Sequence, residues 1–132
     1  MKINLSTNYG IRAVIYLAAE KKEHNSTEIA TAVGVPPSVM RRVLQKLKSA
    51  GIIKADRGID GGYAFVRQPE EVSLLDIMSV MQETDILKNL IGHDLPPCPA
   101  EELFHKKRAY LVDLQNEILQ SLHEMTLDKL LE

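Results

Sequence analysis

Residues 26–66 contain the pattern that most restricts the fold, two short helices that flank a glycine and are followed by a glycine-rich hairpin. Asn25 or Ser26 can cap the first helix, and Gly34 can take the left-handed backbone conformation that ends it. Pro37 lies at the start of the second helix, where a missing N–H group costs nothing. Two helices that cross at such a short turn are typical of a helix-turn-helix.

The second predicted helix, from Pro37 to Ala50, separates apolar side chains from polar ones. Its apolar residues at helical spacing are Met40, Val43, Leu44 and Leu47. The residues predicted to face a partner are Pro37, Ser38, Arg41, Arg42, Gln45 and Lys46. Such a face suits the major groove of DNA, because arginine can bind guanine edges, glutamine can bind adenine, and a cation can bind phosphate. The alternative is an ordinary solvated helix face, and the adjoining turn favours the DNA interpretation.

A hairpin with a glycine-rich tip is predicted to follow this helix. Residues 52–56 and 63–66 have the composition of two short strands. A tip beside a reading helix can contact the DNA backbone or the minor groove, where negative potential attracts arginine. Arg57, Gly61 and Gly62 are the candidates for this contact, and the alternative is that the glycines serve only the turn geometry. Together these elements predict a winged helix-turn-helix with double-stranded DNA as its partner.

The net charge of −2 conceals a division along the chain. Residues 1–68 carry eleven Lys and Arg against five Asp and Glu, which gives +6, whereas residues 69–132 carry five against thirteen, which gives −8. The basic half can attract phosphate, and the acidic half repels the duplex from other surfaces. The charge division therefore supports DNA binding where the net charge does not.

A further helix is predicted over residues 5–20, with one apolar stripe that packs under the helix-turn-helix. The stripe consists of Leu5, Tyr9, Ala13, Val14, Leu17 and Ala18. Helix amino termini attract anions, so Ser6, Thr7, Asn8 and the Tyr9 hydroxyl can meet phosphate. The alternative is that Ser6 caps the helix and the Tyr9 ring is buried.

Three stretches, residues 5–13, 57–63 and 69–77, resemble the Rrf2 family of bacterial transcription regulators. This family includes repressors of iron–sulfur-cluster assembly, of the nitric-oxide response and of cysteine metabolism. The resemblance implies that the start of the first helix contacts DNA and that the protein represses rather than activates. Cluster-binding members hold three closely spaced cysteines before the long C-terminal helix, whereas this chain has only Cys98. We therefore expect a cluster-free member of the family.

A long helix is predicted from Ala100 to about His123, preceded by a loop or a short helix and loop. Its apolar residues recur at steps of three and four: Leu111, Leu114, Ile118, Leu122 and Met125. A helix of ~24 residues would run ~36 Å, more than the small domain needs for its own core. We expect it to join two protomers as a homodimer, with residues 126–131 covering the partner's surface. The alternative is a monomer in which the helix folds back.

The predicted fold is therefore mainly α with a small β-hairpin. It divides into a winged helix-turn-helix DNA-binding domain over residues 1–83, an effector or linker loop over residues 84–99, and a dimerisation helix and tail over residues 100–132. Two reading helices in such a dimer would bind a near-palindromic operator. The competing hypothesis is a protein-interaction module whose Arg41, Arg42 and Arg57 dock an acidic protein partner instead of DNA.

The remaining residues give little sign of catalysis or of a bound cofactor. His93, Cys98 and His105 are a poor ligand set for an iron–sulfur cluster, and His24 and His123 lack the partners of a zinc site or a catalytic dyad. Cys98 is a possible redox or effector residue, although a bystander role is favoured. The sequence thus predicts a cytoplasmic regulator without metal, enzyme activity or membrane contact, whose effector or partner protein is unknown.

Overall fold

The computed structural model describes residues 2–58 and 61–132, and these form helices around one short hairpin. Ile59 and Asp60, at the predicted hairpin tip, lie outside the described residues. The α-helices and strands are α1 (Leu5–Glu20), α2 (Ser26–Val33), α3 (Pro37–Ser49), β1 (Lys54–Ala55), β2 (Tyr63–Ala64), α4 (Leu74–Met81), α5 (Lys88–Ile91), α6 (His105–Glu124) and α7 (Leu127–Leu130), with 3-10 turns at Pro69–Glu71 and Glu101–Phe104. The predicted mainly α fold with a small hairpin and a long C-terminal helix is confirmed.

The helix-turn-helix begins and ends as the sequence predicts. Asn25 caps α2, because its side-chain oxygen accepts a hydrogen bond of 2.8 Å from the Glu28 N–H. Gly34 ends α2 with a φ of 73°, in the left-handed region. Pro37 then opens α3 at its first helical position. These local choices fix the short turn that sets α3 against α2.

The core lies between α1, α2, α3 and α4. Its fully buried large side chains include Leu17, Ile29, Met40, Leu44, Leu47 and Ile77. Ile52 and Ile53 are also buried, and this corrects the predicted strand over residues 52–56. Because consecutive strand residues point to opposite faces, two adjacent buried isoleucines anchor the chain in the core, and β1 pairs with β2 only at Lys54–Ala55.

The hairpin is attached to the connection between α1 and α2. The His24 N–H donates to the Tyr63 carbonyl at 3.0 Å, and the Tyr63 N–H donates to the His24 carbonyl at 2.8 Å. The His24 imidazole is itself buried, with Nδ1 2.9 Å from a Glu28 carboxylate oxygen. This hairpin, which consists of β1, β2 and their connection, is the wing of the helix-turn-helix. It is thus fixed to the helical body at its base.

The start of α1 differs from the prediction in three ways. Asn4, rather than Ser6, occupies the N-cap position. Leu5, predicted to lie on the apolar stripe, is 65% exposed. Thr7 is 1% exposed and hydrogen-bonded to Gln82, so its hydroxyl faces the protein instead of solvent.

Helix α4 begins with a capping box, and it packs closely on α1. The Ser73 hydroxyl accepts from the Asp76 N–H at 3.1 Å, and the Asp76 carboxylate accepts from the Ser73 N–H at 2.9 Å. Gly10 lets α1 and α4 approach, since a Cβ atom there would lie 3.3 Å from Ile77 and Met81 side-chain atoms.

The long C-terminal helix begins later than predicted. Residues 101–104 form a 3-10 turn, a common form at helix ends, and α6 then runs over 20 residues, or ~30 Å. It contacts α4 and α5. No residue of α6 is buried within the chain.

The predicted role of residues 126–131 in covering a partner is wrong for α7. Leu127 is fully buried in this chain's own core, and its N–H donates to the Val72 carbonyl at 2.9 Å. The Leu74 N–H donates in turn to the Met125 carbonyl at 2.9 Å. The apolar side of α7 therefore packs against the N-terminal part of its own chain.

Candidate nucleic-acid interface

Helix α3 presents its predicted contact residues to solvent. Pro37, Ser38, Arg41, Arg42, Gln45 and Lys46 are all exposed, whereas Met40, Val43, Leu44 and Leu47 on the other side are buried. The buried side chains fix the rotation of the helix about its axis. Arginine, glutamine and lysine therefore share one outward surface.

The cations on this surface keep their charge available for a partner. Arg41, Arg42 and Lys46 form no ion pair with a carboxylate anywhere in residues 2–58 and 61–132. By contrast, Lys88 lies 3.2 Å from Asp94. A surface with uncompensated positive charge suits an anionic partner such as phosphate.

The start of α1 lies beside this basic surface. Ser6, Arg42 and Lys46 line one narrow cleft, together with apolar atoms of Val39 and Val43. Asn8 is exposed on α1 and Tyr9 is half-buried. The structure thus brings Ser6 of α1 beside Arg42 and Lys46 of α3, although they are more than thirty residues apart in sequence.

The amino termini of α1 and α3 share a feature that favours anions. Neither helix has an acidic residue in its first turn or a side-chain hydrogen bond from its N-cap residue. Helices α2 and α4, in contrast, carry Glu28 and Asp76 in their first turns and have capping side chains. The first turns of α1 and α3 thus have no capping side chain from the N-cap residue, and the positive ends of their helix dipoles favour an anion.

At the base of the wing, Arg57 lies on the surface, and contacts within the protein explain why residues 61 and 62 are glycine. Arg57 is exposed. A Cβ atom on Gly61 would lie 2.4 Å from the Asp56 carbonyl oxygen, and one on Gly62 would lie 2.5 Å from the His24 carbonyl oxygen. Close approach to the protein's own backbone therefore requires glycine at both positions, whether or not DNA lies nearby.

A pair of carboxyl groups lies at the same base. A hydrogen bond with Glu23 and the charge of Lys54 lower the pKa of Asp56. The hydrogen bond with Asp56, burial and the charge of Asp56 raise the pKa of Glu23. The two carboxyl groups therefore lie close together, one in the α1–α2 connection and one directly after β1.

The candidate dimer face on α6 is only partly covered by this chain. Leu111, Ile118 and Leu122 are half-buried, while Leu114 and Met125 are 45% and 39% exposed. Three further apolar residues, in α6 or in the turn before it, are also exposed, and the sequence reasoning missed them: Leu103, Phe104 and Tyr110. Their spacing of seven and four residues from Leu103 to Tyr110 to Leu114 was the available signal.

Cys98 is exposed at the end of the loop that precedes α6. Its thiol lies 3.5 Å from a carboxylate oxygen of Glu101. That carboxylate is already paired with the Arg108 guanidinium, which holds the pKa of Glu101 below its usual range. Among the described residues, no three or more His, Cys, Asp and Glu side chains gather as a possible metal site.

A model of the Rrf2 family, described as iron-dependent transcriptional regulator, matches residues 3–132. The chain belongs to the Rrf2 family. As an Rrf2 protein it is grouped with transcription regulators rather than with enzymes. Among curated proteins it is similar to Protein aau3 of Rhizobium meliloti (strain 1021), at 31% identity over 100 residues, or 75% of this chain. The match spans only 65% of that relative's length.

Solved structures show the same fold. T. potens IscR aligns with 99% of this Rrf2 chain and 86% of its own, at a TM-score of 0.77 and 22% identity. CymR (YrzC), the global cysteine regulator of B. subtilis, aligns over 99% and 96%, at 0.78 and 23%. The oxidised form of Staphylococcus aureus CymR aligns over 100% and 97%, at 0.76 and 24%. These likenesses extend through the long C-terminal helix.

The family description raises the question of iron, and the residues of this Rrf2 chain do not fit an iron–sulfur cluster. Such a cluster is held mainly by several thiolates, with histidine as an occasional substitute. The sequence offers one thiol, and its neighbour Glu101 is neutralised by Arg108.

No helix among the described residues is long and apolar enough to cross a membrane.

Proposed function

We propose that this Rrf2 protein is a cytoplasmic, sequence-specific DNA-binding transcriptional regulator that represses from a near-palindromic operator as a homodimer. The observation that supports it most directly is the continuous surface of Ser6, Arg42 and Lys46, in which the cations have no carboxylate partner among the described residues. Uncompensated positive charge beside two helix amino termini that carry no acidic residue is complementary to the phosphate backbone.

The proposed contacts divide by element. Arg41, Arg42 and Gln45 on α3 read base edges in the major groove, because their side chains can form the paired hydrogen bonds that distinguish bases. Pro37, Ser38 and Lys46 border the same groove and contact the backbone, as do Ser6, Asn8 and Tyr9 at the start of α1. Arg57 reaches the backbone or minor groove from the wing, and Gly61 and Gly62 shape the approach.

Homodimerisation supplies the specificity that one short helix lacks. Two α3 helices one duplex turn apart, ~34 Å, would read two related half-sites. We assign residues 1–83 to DNA binding, 84–99 to an effector or linker segment, and 100–132 to dimerisation, with α7 returning to its own domain. Repression then follows from occlusion of the promoter, without a bound cluster, and Cys98 remains a candidate for redox or effector sensing.

A genomic selection followed by salt-titrated binding to the recovered duplex tests this function. We expect a recurrent two-fold sequence motif and an affinity that falls steeply as the salt concentration rises. The affinity that remains at high salt should still depend on the DNA sequence. Recovery of DNA without any shared motif would contradict the proposal of a sequence-specific regulator. Binding to an acidic protein in place of duplex DNA supports the protein-interaction module instead.

Three variants test the division of contacts. Arg42→Ala and Gln45→Ala are expected to relax base preference, each with a loss of about 1–3 kcal/mol at the position that it reads. Arg57→Ala is expected to weaken binding to all sequences by a similar factor and to reduce the salt slope. Selection profiles measured for each variant decide the assignment, and identical profiles for all three would contradict it.

A further inference from the structure

We propose that Gln82 is the positioning residue that holds the first turn of α1 in the conformation that contacts DNA. This inference rests on the proposed DNA contact at the start of α1 and deepens it, because it names what fixes that turn. Gln82 directly follows α4 and lies at the junction with residues 84–99. It is distant from α1 in sequence and is not itself one of the proposed DNA contacts.

The side-chain amide of Gln82 joins several groups at this junction. Its Oε1 atom accepts hydrogen bonds of 2.7 Å from the Asn4 backbone N–H and from the Thr7 hydroxyl. Its Nε2 atom lies 3.4 Å from the carbonyl oxygens of Lys2 and Glu83, to which it donates. The Gln82 amide, directly after α4, therefore stabilises the start of α1, where the Asn4 side chain makes no capping hydrogen bond.

These bonds fix the position of Ser6. Asn4 and Thr7 are held on either side of it, and the Thr7 N–H also donates to the Asn4 carbonyl at 3.0 Å. Thr7 is 1% exposed, so its hydroxyl has lost water and depends on Gln82 as its acceptor. Ser6 then lies in the same cleft as Arg42. Loss of the Gln82 hydrogen bonds would let the first turn of α1 move, whereas α3 would stay fixed by its own buried side chains.

Gln82 also borders the segment that leads to α6. Lys2, Asn4, Gln82 and residues 83 and 85–90 line an open cleft. Within that segment the Leu87 N–H donates to Gln115 Oε1 of α6 at 2.7 Å. Gln82 thus lies between the DNA-facing turn of α1 and the segment that packs on the long helix. A displacement of that segment would therefore be transmitted to the first turn of α1 by the hydrogen bonds of the Gln82 side-chain amide.

The affinity of Gln82→Met for the duplex recovered by selection tests the inference. Methionine keeps the side-chain length and removes the acceptor, so we expect affinity to fall about three- to tenfold at a temperature well below the melting transition. The melting temperature should also fall, because the buried Thr7 hydroxyl loses its acceptor. Gln120→Met is the matched control, because the Gln120 side chain bonds to Glu124 on its own helix and to no α1 residue among those described. Unchanged affinity in Gln82→Met, or an equal loss in the control, would overturn the proposal.

A double-mutant cycle separates positioning from general destabilisation. Thr7→Val removes the hydroxyl that donates to Gln82, so the Thr7→Val/Gln82→Met variant is expected to lose little more affinity than the more affected single variant. Additive losses would contradict a shared mechanism. Hydrogen exchange at the Asn4 amide provides a readout independent of DNA. It should be faster in Gln82→Met than in the wild-type protein, and an unchanged rate overturns the inference even where DNA binding itself is established.

Discussion

At the scale of single residues, the wing depends on a glycine that touches the protein's own backbone. Gly62 lies against the His24 carbonyl group, where a Cβ atom would come within 2.5 Å of the oxygen and 2.6 Å of the carbon. The neighbouring Tyr63 makes two backbone hydrogen bonds with His24 that join the wing to the α1–α2 connection. Any side chain at position 62 therefore forces these two backbone segments apart.

We predict that Gly62→Ala lowers the free energy of unfolding by about 1–3 kcal/mol, the usual cost of forced overpacking. Gly51→Ala is the matched control, since Gly51 has a φ of 78° but a Cβ atom there would meet no described atom within 4 Å. Its cost should be limited to about 1 kcal/mol of backbone strain. Denaturant unfolding of both variants measures the difference, and an equal or smaller effect at position 62 contradicts the clash.

Residue types near the turn could be predicted from sequence because they act locally. Asn25 and Gly34 fulfil their predicted capping roles with partners no more than four residues away. Gln82 could not be predicted in the same way, because its partners Asn4 and Thr7 are brought to it only by the packing of α1 on α4. Polar contacts of large sequence separation leave no periodic signal in one chain.

At the scale of secondary-structure elements, the start of α6 is stabilised by an ion pair. Arg108 lies one turn into the helix, and Glu101 lies in the preceding 3-10 turn. The guanidinium lowers the pKa of Glu101 most, burial opposes it, and the contact with the Cys98 thiol lowers it further. The pair therefore joins the loop that contains Cys98 to the long helix.

The lowered pKa of Glu101 sets the sign of a pH dependence. A carboxyl group whose pKa is lower in the folded state stabilises the fold above its unfolded pKa of about 4.3, and loses this contribution as the pH falls through the folded value. We predict that Glu101→Gln is less stable than wild type at pH 7 and that the difference disappears in acid.

Urea unfolding at a series of pH values and fixed protein concentration measures this difference. Glu102→Gln is the control, because Glu102 is exposed and forms no ion pair within the described part of the chain. Its difference from wild type should change little between about pH 7 and about pH 3, on either side of the usual carboxyl pKa. A constant gap for Glu101→Gln over the same range would contradict a charge-dependent contribution.

Element boundaries were predictable where periodicity was strong and failed where packing overrode it. Helices α1 and α3 follow their apolar stripes. The strands are shorter than predicted, because Ile52 and Ile53 both enter the core. Helix α7 is the clearest failure of position, since an apolar turn at the chain end can cover either a partner or its own domain, and only the buried position of Leu127 decides between them.

At the scale of the whole molecule, the chain has two surfaces of different chemistry. The basic surface of α1 and α3 lacks counter-ions among the described residues, and α6 leaves Tyr110 and Leu114 exposed without any buried residue of its own. A helix of ~30 Å with one side against α4 and α5 and apolar side chains on another is suited to pair with its symmetry mate.

We predict that Leu114→Glu converts a dimer into a monomer, because a charge would be buried at the centre of the helix pair. Sedimentation should then show half the wild-type mass at the same protein concentration. Asn116→Glu introduces the same charge two residues away, ~200° around the helix, and should remain dimeric. Loss of the second half-site in Leu114→Glu should reduce affinity for a full operator by about 100-fold or more, while affinity for an isolated half-site changes little. A wild-type monomer, or a dimer that survives Leu114→Glu, would contradict this arrangement.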